Sequence, residues 1–203
     1  MIGDLSARYE SNGDAGRVSD GWDDAGGVSY GCYQLASNAG SVDSFIEWLG
    51  IIGHNYHDSL GVLTPGTQEF TELWQHIADV DGENFKQLQH DYIQYAYYEP
   101  SVEALRESYF DVDNHNEVMK DVVWSRAVQY GTGQVVEMFT DAAKSLGYQN
   151  LSYVDSADYD ESMIRAIYIN VCSTPEWTNG SPALREGLYN RFANECEDAI
   201  AQL

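Results

Sequence analysis

Basic residues are what this 203-residue chain has least of: 10 Lys and Arg stand against 33 Asp and Glu, a formal net charge of −23. Nucleic-acid and anionic-membrane binding both require clustered cations, so composition argues against both partner classes. The same field would draw in a polycation, and it equally suits a very soluble protein in salty surroundings. Cysteine is sparse too. Cys32, Cys172 and Cys196 are too few and too scattered for a disulfide framework or a zinc site. They leave two alternatives open: one Cys172–Cys196 bridge between the last two helices, or buried free thiols. No run is long and apolar enough to span a bilayer, and the N-terminus lacks a basic stretch followed by an apolar core. Membrane insertion and a signal peptide of its own are therefore not expected, and an external substrate would demand delivery by another component. There is no low-complexity tract, internal repeat or linker, so residues 1–203 are expected to form a single domain.

What is present reads as helix. The apolar spacing predicts a mainly α protein with a small strand-and-loop region near the N-terminus. A first helix covers about 3–10, and Asn12-Gly13 supplies its left-handed stop. Six glycines and several aspartates make 13–31 turn-rich, with Val28 to Leu35 strand-like. Ser41 is read as the cap of a helix that ends at Gly50 or Gly53. Thr67 opens another that stops near Asp81-Gly82, and a longer one runs from Glu83 to about Tyr97. Pro100 should end that helix and Ser101 cap a short successor. Asn116 to Tyr130 is the most apolar helix and the expected centre of the fold, closed by Gly131. Gln134–Leu146, Asp160–Val171 and Pro182–Leu203 complete the set, with a loop over 173–181. Most of the 15 tyrosines are expected to pack helices together.

The chemistry-bearing groups crowd the front of the chain. Glu10 sits at a helix end beside Tyr9, where partial desolvation and the negative helix C-terminus would both favour the protonated acid. Asp23 and Asp24 precede Ala25-Gly26-Gly27, where a sharp turn can present a carboxylate. Asp14 and Asp20 look like turn residues. Ser29, Tyr30, Tyr33 and Gln34 then offer hydroxyls, ring faces and an amide, groups that suit a sugar with one polar rim and one apolar face. Two carboxyl groups across a sugar-binding cleft are what glycosidic cleavage requires.

Glu10-Ser11-Asn12-Gly13, followed by Asp24-Ala25-Gly26-Gly27-Val28-Ser29-Tyr30-Gly31-Cys32-Tyr33-Gln34, resembles the active-site region of lysozyme-like peptidoglycan hydrolases. That superfamily includes goose-type lysozymes, lytic transglycosylases and chitosanases. More narrowly, the chain is similar to lysozyme-like domains of phage lysins and of VgrG-type type VI secretion spike proteins. Phe70 to Ile77, Phe85 to Tyr98, Val122 to Gly131 and Gly187 to Glu195 extend the match over nearly the whole length. The resemblance implies a lysozyme-like fold whose strand-and-loop region lines the cleft. It implies a muramidase cutting the β-1,4 bond between N-acetylmuramic acid and N-acetylglucosamine, with Glu10 as general acid and Asp24 as second carboxylate. Asp23 is kept as rival to Asp24 and as a substrate contact, because it stands where the family pattern has glycine. Ser29, Tyr30, Tyr33, Gln34 and Gln129 would hold the glycan, and Cys32 would pack behind the cleft. Inverting chemistry, with neither metal nor cofactor, follows from the same resemblance. So do action in a target cell's periplasm or wall and a cognate immunity protein that blocks the cleft. Chitosan as substrate, or a non-catalytic glycan-binding or partner-binding role, stand as alternatives.

Other constellations read as structural. His54 and His57 share a helical spacing, with Asp58 beside them, but no further ligand motif accompanies the pair. Asp111-Val-Asp113-Asn-His115-Asn-Glu117 lacks the glycine and the final acid of a calcium loop, and is read as a helix cap. Asp155, Asp158, Asp160 and Glu161 are read as acids favouring a helix N-terminus.

Overall fold

A computed structural model describes residues 13–19, 21, 26–172 and 181–203. The expected first helix, most of the 173–181 loop, and Glu10, Asp23 and Asp24 lie outside the described residues. The fold is mainly α-helical, with one two-stranded sheet among the described residues. No helix among them is long and apolar enough to cross a membrane. The described residues divide into two compact units, one ending at Gln94 and one running from Tyr95 to Leu203.

The front unit begins with β1 (Ser29–Tyr30) and β2 (Leu35–Ala36), paired antiparallel with Ser29 opposite Ala36 and Tyr30 opposite Leu35. An isolated bridge from Val18 to Tyr30 adds a third edge. The strand-like stretch over 28–35 is thus a hairpin. Its reversal uses left-handed backbone at Gly31 (φ 73°) and Gln34 (φ 52°). Helix α1 (Ser41–Ile51) follows, then short α2 (Tyr56–Leu60) and long α3 (Gln68–Ile93). Gly40, not Ser41, is the cap residue of α1, and the Ser41 hydroxyl instead accepts from Ala36 N at 2.7 Å. That correction ties the helix start to β2. Thr67 caps α3 as expected, its Oγ1 accepting from Phe70 N.

The break expected near Asp81 is a kink inside α3, where Asp81 leaves helical geometry (φ −143°, ψ 38°). Its carboxylate accepts from the Tyr56 hydroxyl and from Asn84 Nδ2, both at 2.7 Å. These bonds hold the Asp81 carboxyl below its usual range. Burial, and then the bond to Asp81, push the Tyr56 phenol up to about 12. The core of this unit is aromatic. Trp74 packs on Phe85 at 4.7 Å, Tyr30 at 5.3 Å and Phe45 at 5.7 Å between ring centroids. Such pairs add to the area term that dominates burial.

In the second unit Pro100 does not end a helix. A π-helical turn over Gln94–Tyr98 runs into α4 (Glu99–Glu107), with Pro100 in the first turn. Proline is tolerated there because the first N–H groups lack intrahelical acceptors, and the wider turn relieves the ring's clash with the preceding carbonyls. Ser101 is no cap: it is buried and donates to Tyr97 O at 2.6 Å. Helices α5 (Glu117–Tyr130), α6 (Thr132–Ser145), α7 (Asp160–Val171) and α8 (Pro182–Ile200) follow. Gly131 closes α5 at φ 79°. Helix α5 buries Val118, Met119 and every residue from Val122 to Ala127, and so supplies the centre of this unit.

The 111–117 segment supplies the cap residue Asn116 before α5, and Asp160 and Glu161 lie in the first turn of α7, both as expected. Asp111 caps a 3-10 turn over Val112–Asn114. The N–H of Asn116, at the start of α5, is satisfied from afar by Asp160 Oδ2 at 2.8 Å. Asp160 also meets His115 Nδ1 at 2.6 Å, and Asp155 meets His115 Nε2 at 3.3 Å. The buried imidazole stacks on Phe110 with centroids 4.1 Å apart. These acids staple two loops together, which local dipole reasoning had no means to foresee.

Candidate functional site

The front hairpin and the loop before it are tied to α3 by side-chain hydrogen bonds. Gln89, almost wholly buried, accepts from Cys32 N through Oε1 at 2.8 Å and donates through Nε2 to Ala15 O at 3.1 Å. One carboxamide therefore clamps both the turn and the preceding loop. Trp74 Nε1 donates to the same Ala15 oxygen at 2.9 Å. A Cβ at Gly31 would overlap Gln89 Oε1, so glycine is required there by close approach as well as by its positive φ. His90, one residue on, meets the Tyr33 hydroxyl through Nδ1 at 3.0 Å.

Each described sequence candidate then has a definite place. Ser29 is partly exposed on β1, its N–H bonded to Ser19 Oγ at 3.0 Å. Tyr33 is partly exposed at the turn. Gln34 is partly exposed too, its Nε2 donating to Gly31 O at 2.9 Å. Tyr30 is a correction. It is fully buried, its ring packs on Phe70 and Trp74, and its hydroxyl meets Thr71 Oγ1 at 2.7 Å and Gly66 N at 3.1 Å. It supports the hairpin from beneath and has no face left for a sugar. Gln129 lies on α5 in the other unit, with a buried Oε1 that has no hydrogen bond among the described residues. Cys32 is buried behind the turn, and burial pushes its thiol up to about 11. Asp14 is the turn residue expected, its Oδ1 accepting from Gly16 N at 2.9 Å. A polar hollow of about 150 Å³ lies beside it, with Glu83 and Lys86 on the far wall.

A hollow of about 410 Å³ lies between α7 and α8. Tyr168, Cys172, Phe192 and Cys196 line it, with Arg165 and Glu197 paired at 3.1 Å on its rim. Its wall is apolar and its rim charges neutralise one another, so it lacks the facing acid and base that cleavage needs. Cys172 and Cys196 both border it as free thiols, and burial pushes Cys196 up to about 11.

Sequence reasoning gave no role to a buried ionic cluster behind that hollow. Arg126 and Glu195 are both wholly buried and bonded through Nη2 and Oε2 at 3.1 Å. Ser125 donates to Glu195 Oε1, and the guanidinium lies over the rings of Tyr168 at 4.7 Å and Phe192 at 5.0 Å. Burial opposes the Arg126 charge, but Glu195, Tyr168 and Tyr130 together outweigh it and raise the guanidinium's affinity for its proton. The cluster is held together from opposite ends of the unit, so nothing in local spacing signals it.

The described residues thus form a mainly helical protein whose glycine-rich hairpin is clamped on a long helix. Residues 2–196 match the family of C-terminal domains of VgrG3-like type VI secretion system spike proteins, and the chain belongs to that family. A relative among curated proteins is the type VI secretion system spike protein VgrG3 of Vibrio cholerae serotype O1. It is 33% identical over 151 residues, which cover 69% of this chain. The chain spans 14% of that relative's length.

Proposed function

We propose that this chain is a peptidoglycan-cleaving muramidase domain of lysozyme-like fold, residues 1–203 acting as one catalytic domain. It would reach the periplasm or wall of a target cell as part of a secretion spike. The observation that carries the reading is the front motif, Glu10 to Gln34, within a chain of the VgrG3-like C-terminal family. The clamped hairpin supports it by holding Ser29, Tyr33 and Gln34 partly exposed on a rigid base. Preorganised contacts of that kind are what sugar binding needs.

In this reading Glu10 gives its proton to the glycosidic oxygen as the bond to the muramic acid carbon breaks. Asp24, or its rival Asp23, takes a proton from water as that water attacks the same carbon from the opposite face. One water is consumed, a new reducing end appears, and the configuration inverts. Protein carboxyl groups supply both proton transfers, so the step calls on neither metal nor cofactor. A cognate immunity protein would cover the site in the producing cell, and basic residues would suit it to a protein of charge −23. The same charge favours chitosan, a polycation, as the second reading.

Digestion of purified sacculi with wild type, Glu10→Gln and Asp24→Asn, with products identified by mass, tests the proposal. Reducing muropeptides that disappear in both variants are expected. Anhydro products would replace hydrolysis by transglycosylation, and activity on soluble chitosan alone would move the substrate class.

A further inference from the structure

Resting on the proposed glycan substrate, we infer that Tyr148, Tyr153 and Tyr159 form an accessory platform in the second unit that holds an uncharged length of glycan strand by its sugar faces. The three rings are one cluster. Tyr148 and Tyr153 lie nearly parallel, with 21° between planes and centroids 6.5 Å apart, and Tyr148 and Tyr159 meet edge to face at 5.5 Å and 83°. Tyr153 is 55% exposed, and the other two are partly exposed. Each stands in a capped turn. Gly147 (φ 91°) closes α6 with its N–H on Lys144 O at 2.9 Å, and the Tyr148 N–H bonds to Ala143 O at 3.0 Å. Asn150 Oδ1 accepts from Ser152 N at 3.1 Å and from Ser152 Oγ at 2.7 Å, which fixes the 3-10 turn Leu151–Tyr153. Buried Leu151 and Val154 anchor that turn. Tyr159 ends a second 3-10 turn, Ala157–Tyr159, capped by Ser156.

Charge and size choose the ligand. Between Lys144 and Asp155 no residue is charged, in a chain where Asp, Glu, Lys and Arg make up 21%. Gln149, Asn150 and Ser152, all exposed, stand between two of the tyrosines and offer neutral hydrogen-bonding groups. Rings with such neighbours suit a sugar, which has apolar C–H faces and a hydroxyl rim. Tyrosines held in place also lose little conformational entropy on contact. The front hairpin has the same make-up, with no charge from Ala25 to Val42 and Tyr33-Gln34 where this stretch has Tyr148-Gln149. So short a stretch is a small target for a stable protein interface, which takes roughly 20–30 residues a side. The Asp155 carboxylate is already taken by Asp111 N, Asn114 Nδ2 and His115. Asp158 adjoins Tyr159, so charge pairing is the competing cause of binding, and salt separates the two.

Co-sedimentation of the full chain with purified sacculi tests this, in the cold and on a Glu10→Gln background so that cutting does not erode the target. Tyr153→Ala should weaken binding by about 5- to 30-fold, the loss typical of a truncated aromatic anchor. Tyr153→Phe keeps the ring and should stay within about 3-fold of the parent. The loss in Tyr153→Ala should persist at about 0.5 M salt, where charge pairing is screened. Tyr189→Ala removes an exposed tyrosine on α8 and, as the control, should bind as the parent does. Unchanged affinity in Tyr153→Ala overturns the inference and leaves the rings to a protein partner. A loss that vanishes in high salt overturns it too, as does an equal loss in Tyr153→Phe or Tyr189→Ala. Each of these results leaves the muramidase reading standing. Wild type that binds sacculi through Tyr153 without cutting them overturns the muramidase reading alone, and wild type that neither binds nor cuts overturns both. If Tyr153→Ala melts early, Tyr153→Leu, which keeps bulk without an aromatic face, takes its place and should show the same loss.

Discussion

Replacing Glu195 with Ala should be among the most destabilising single changes in the second unit. Glu195 is wholly buried, accepts from Ser125 and Arg126, and lies 3.9 Å from Arg191 Nε. Its loss strands the Arg126 guanidinium, whose Nε and Nη1 already have no hydrogen bonds among the described residues. The Tyr168 and Phe192 faces remain, but a cation–π contact contributes only about 0.5–2 kcal/mol. Removing one partner of a buried pair costs about 3–5 kcal/mol, a large share of the roughly 5–15 kcal/mol that holds a domain folded. At about 2–4 °C per kcal/mol for a chain of this size, the melting temperature should fall by roughly 10 °C. Urea denaturation and thermal melting would measure it. The matched control is Arg126→Met with Glu195→Leu, which removes both charges and should recover to within about 2 kcal/mol of wild type. A Glu195→Ala variant within about 1 kcal/mol of wild type would refute the reasoning. So would a double variant whose loss is the sum of the singles.

Three other outcomes are expected. Asp160→Ala removes the partner of His115 Nδ1, Asn116 N and Asn116 Nδ2 and should cost about 3 kcal/mol by urea denaturation, with Asp155→Ala costing clearly less. Gly31→Ala forces a left-handed φ on an L residue and pushes Gln89 off Cys32 N. It should cost about 2–4 kcal/mol and weaken binding to sacculi, and wild-type melting behaviour would count against the close approach. Stability should also fall in alkali. Burial raises Cys32 and Cys196 to about 11 from 9.0, Tyr98 to about 12 from 10.0, and Tyr168 well above 10.0. Between about pH 9 and 12 the unfolded chain releases protons that the folded chain retains, so the stabilisation is whole below that window and lost as pH rises through it. Urea midpoints at pH 7, 9, 10 and 11 would show the decline, Tyr168→Phe should soften it, and a flat series would refute it.

Helices were legible because periodicity and caps are local. Thr67, Gly131, and the limits Asp160 and Val171 emerge from short-range rules, and even the break at Asp81 is visible as Asp-Gly within a helical pattern. The misreadings at Ser41 and Ser101 share one physical origin. Each is a short polar side chain near a helix start, and capping is only one of its available bonds. Ser41 turns back to β2, and Ser101 bonds within the preceding π turn. At Asn116 the helix start takes its acceptor from 44 residues away.

The candidate site divides along the same line. The glycines, the turn and the polar-aromatic run of 26–34 are contiguous, so sequence alone exposed them. What the run does with each tyrosine depends on α3, some forty to sixty residues later in the chain. Tyr30 and Tyr33 are three residues apart and chemically identical. One is fully buried with its hydroxyl on Thr71, and the other is partly exposed with its hydroxyl on His90. A strand alternates its faces, but the pairing ends at Tyr30 and the turn begins at Gly31, so period-2 alternation gives no direction for Tyr33. The helix behind the turn decides it: Thr71 near the start of α3 takes one hydroxyl, and His90 near its end takes the other. Changing Thr71 should therefore loosen the buried side of the hairpin beneath Tyr30, which thermal melting would register.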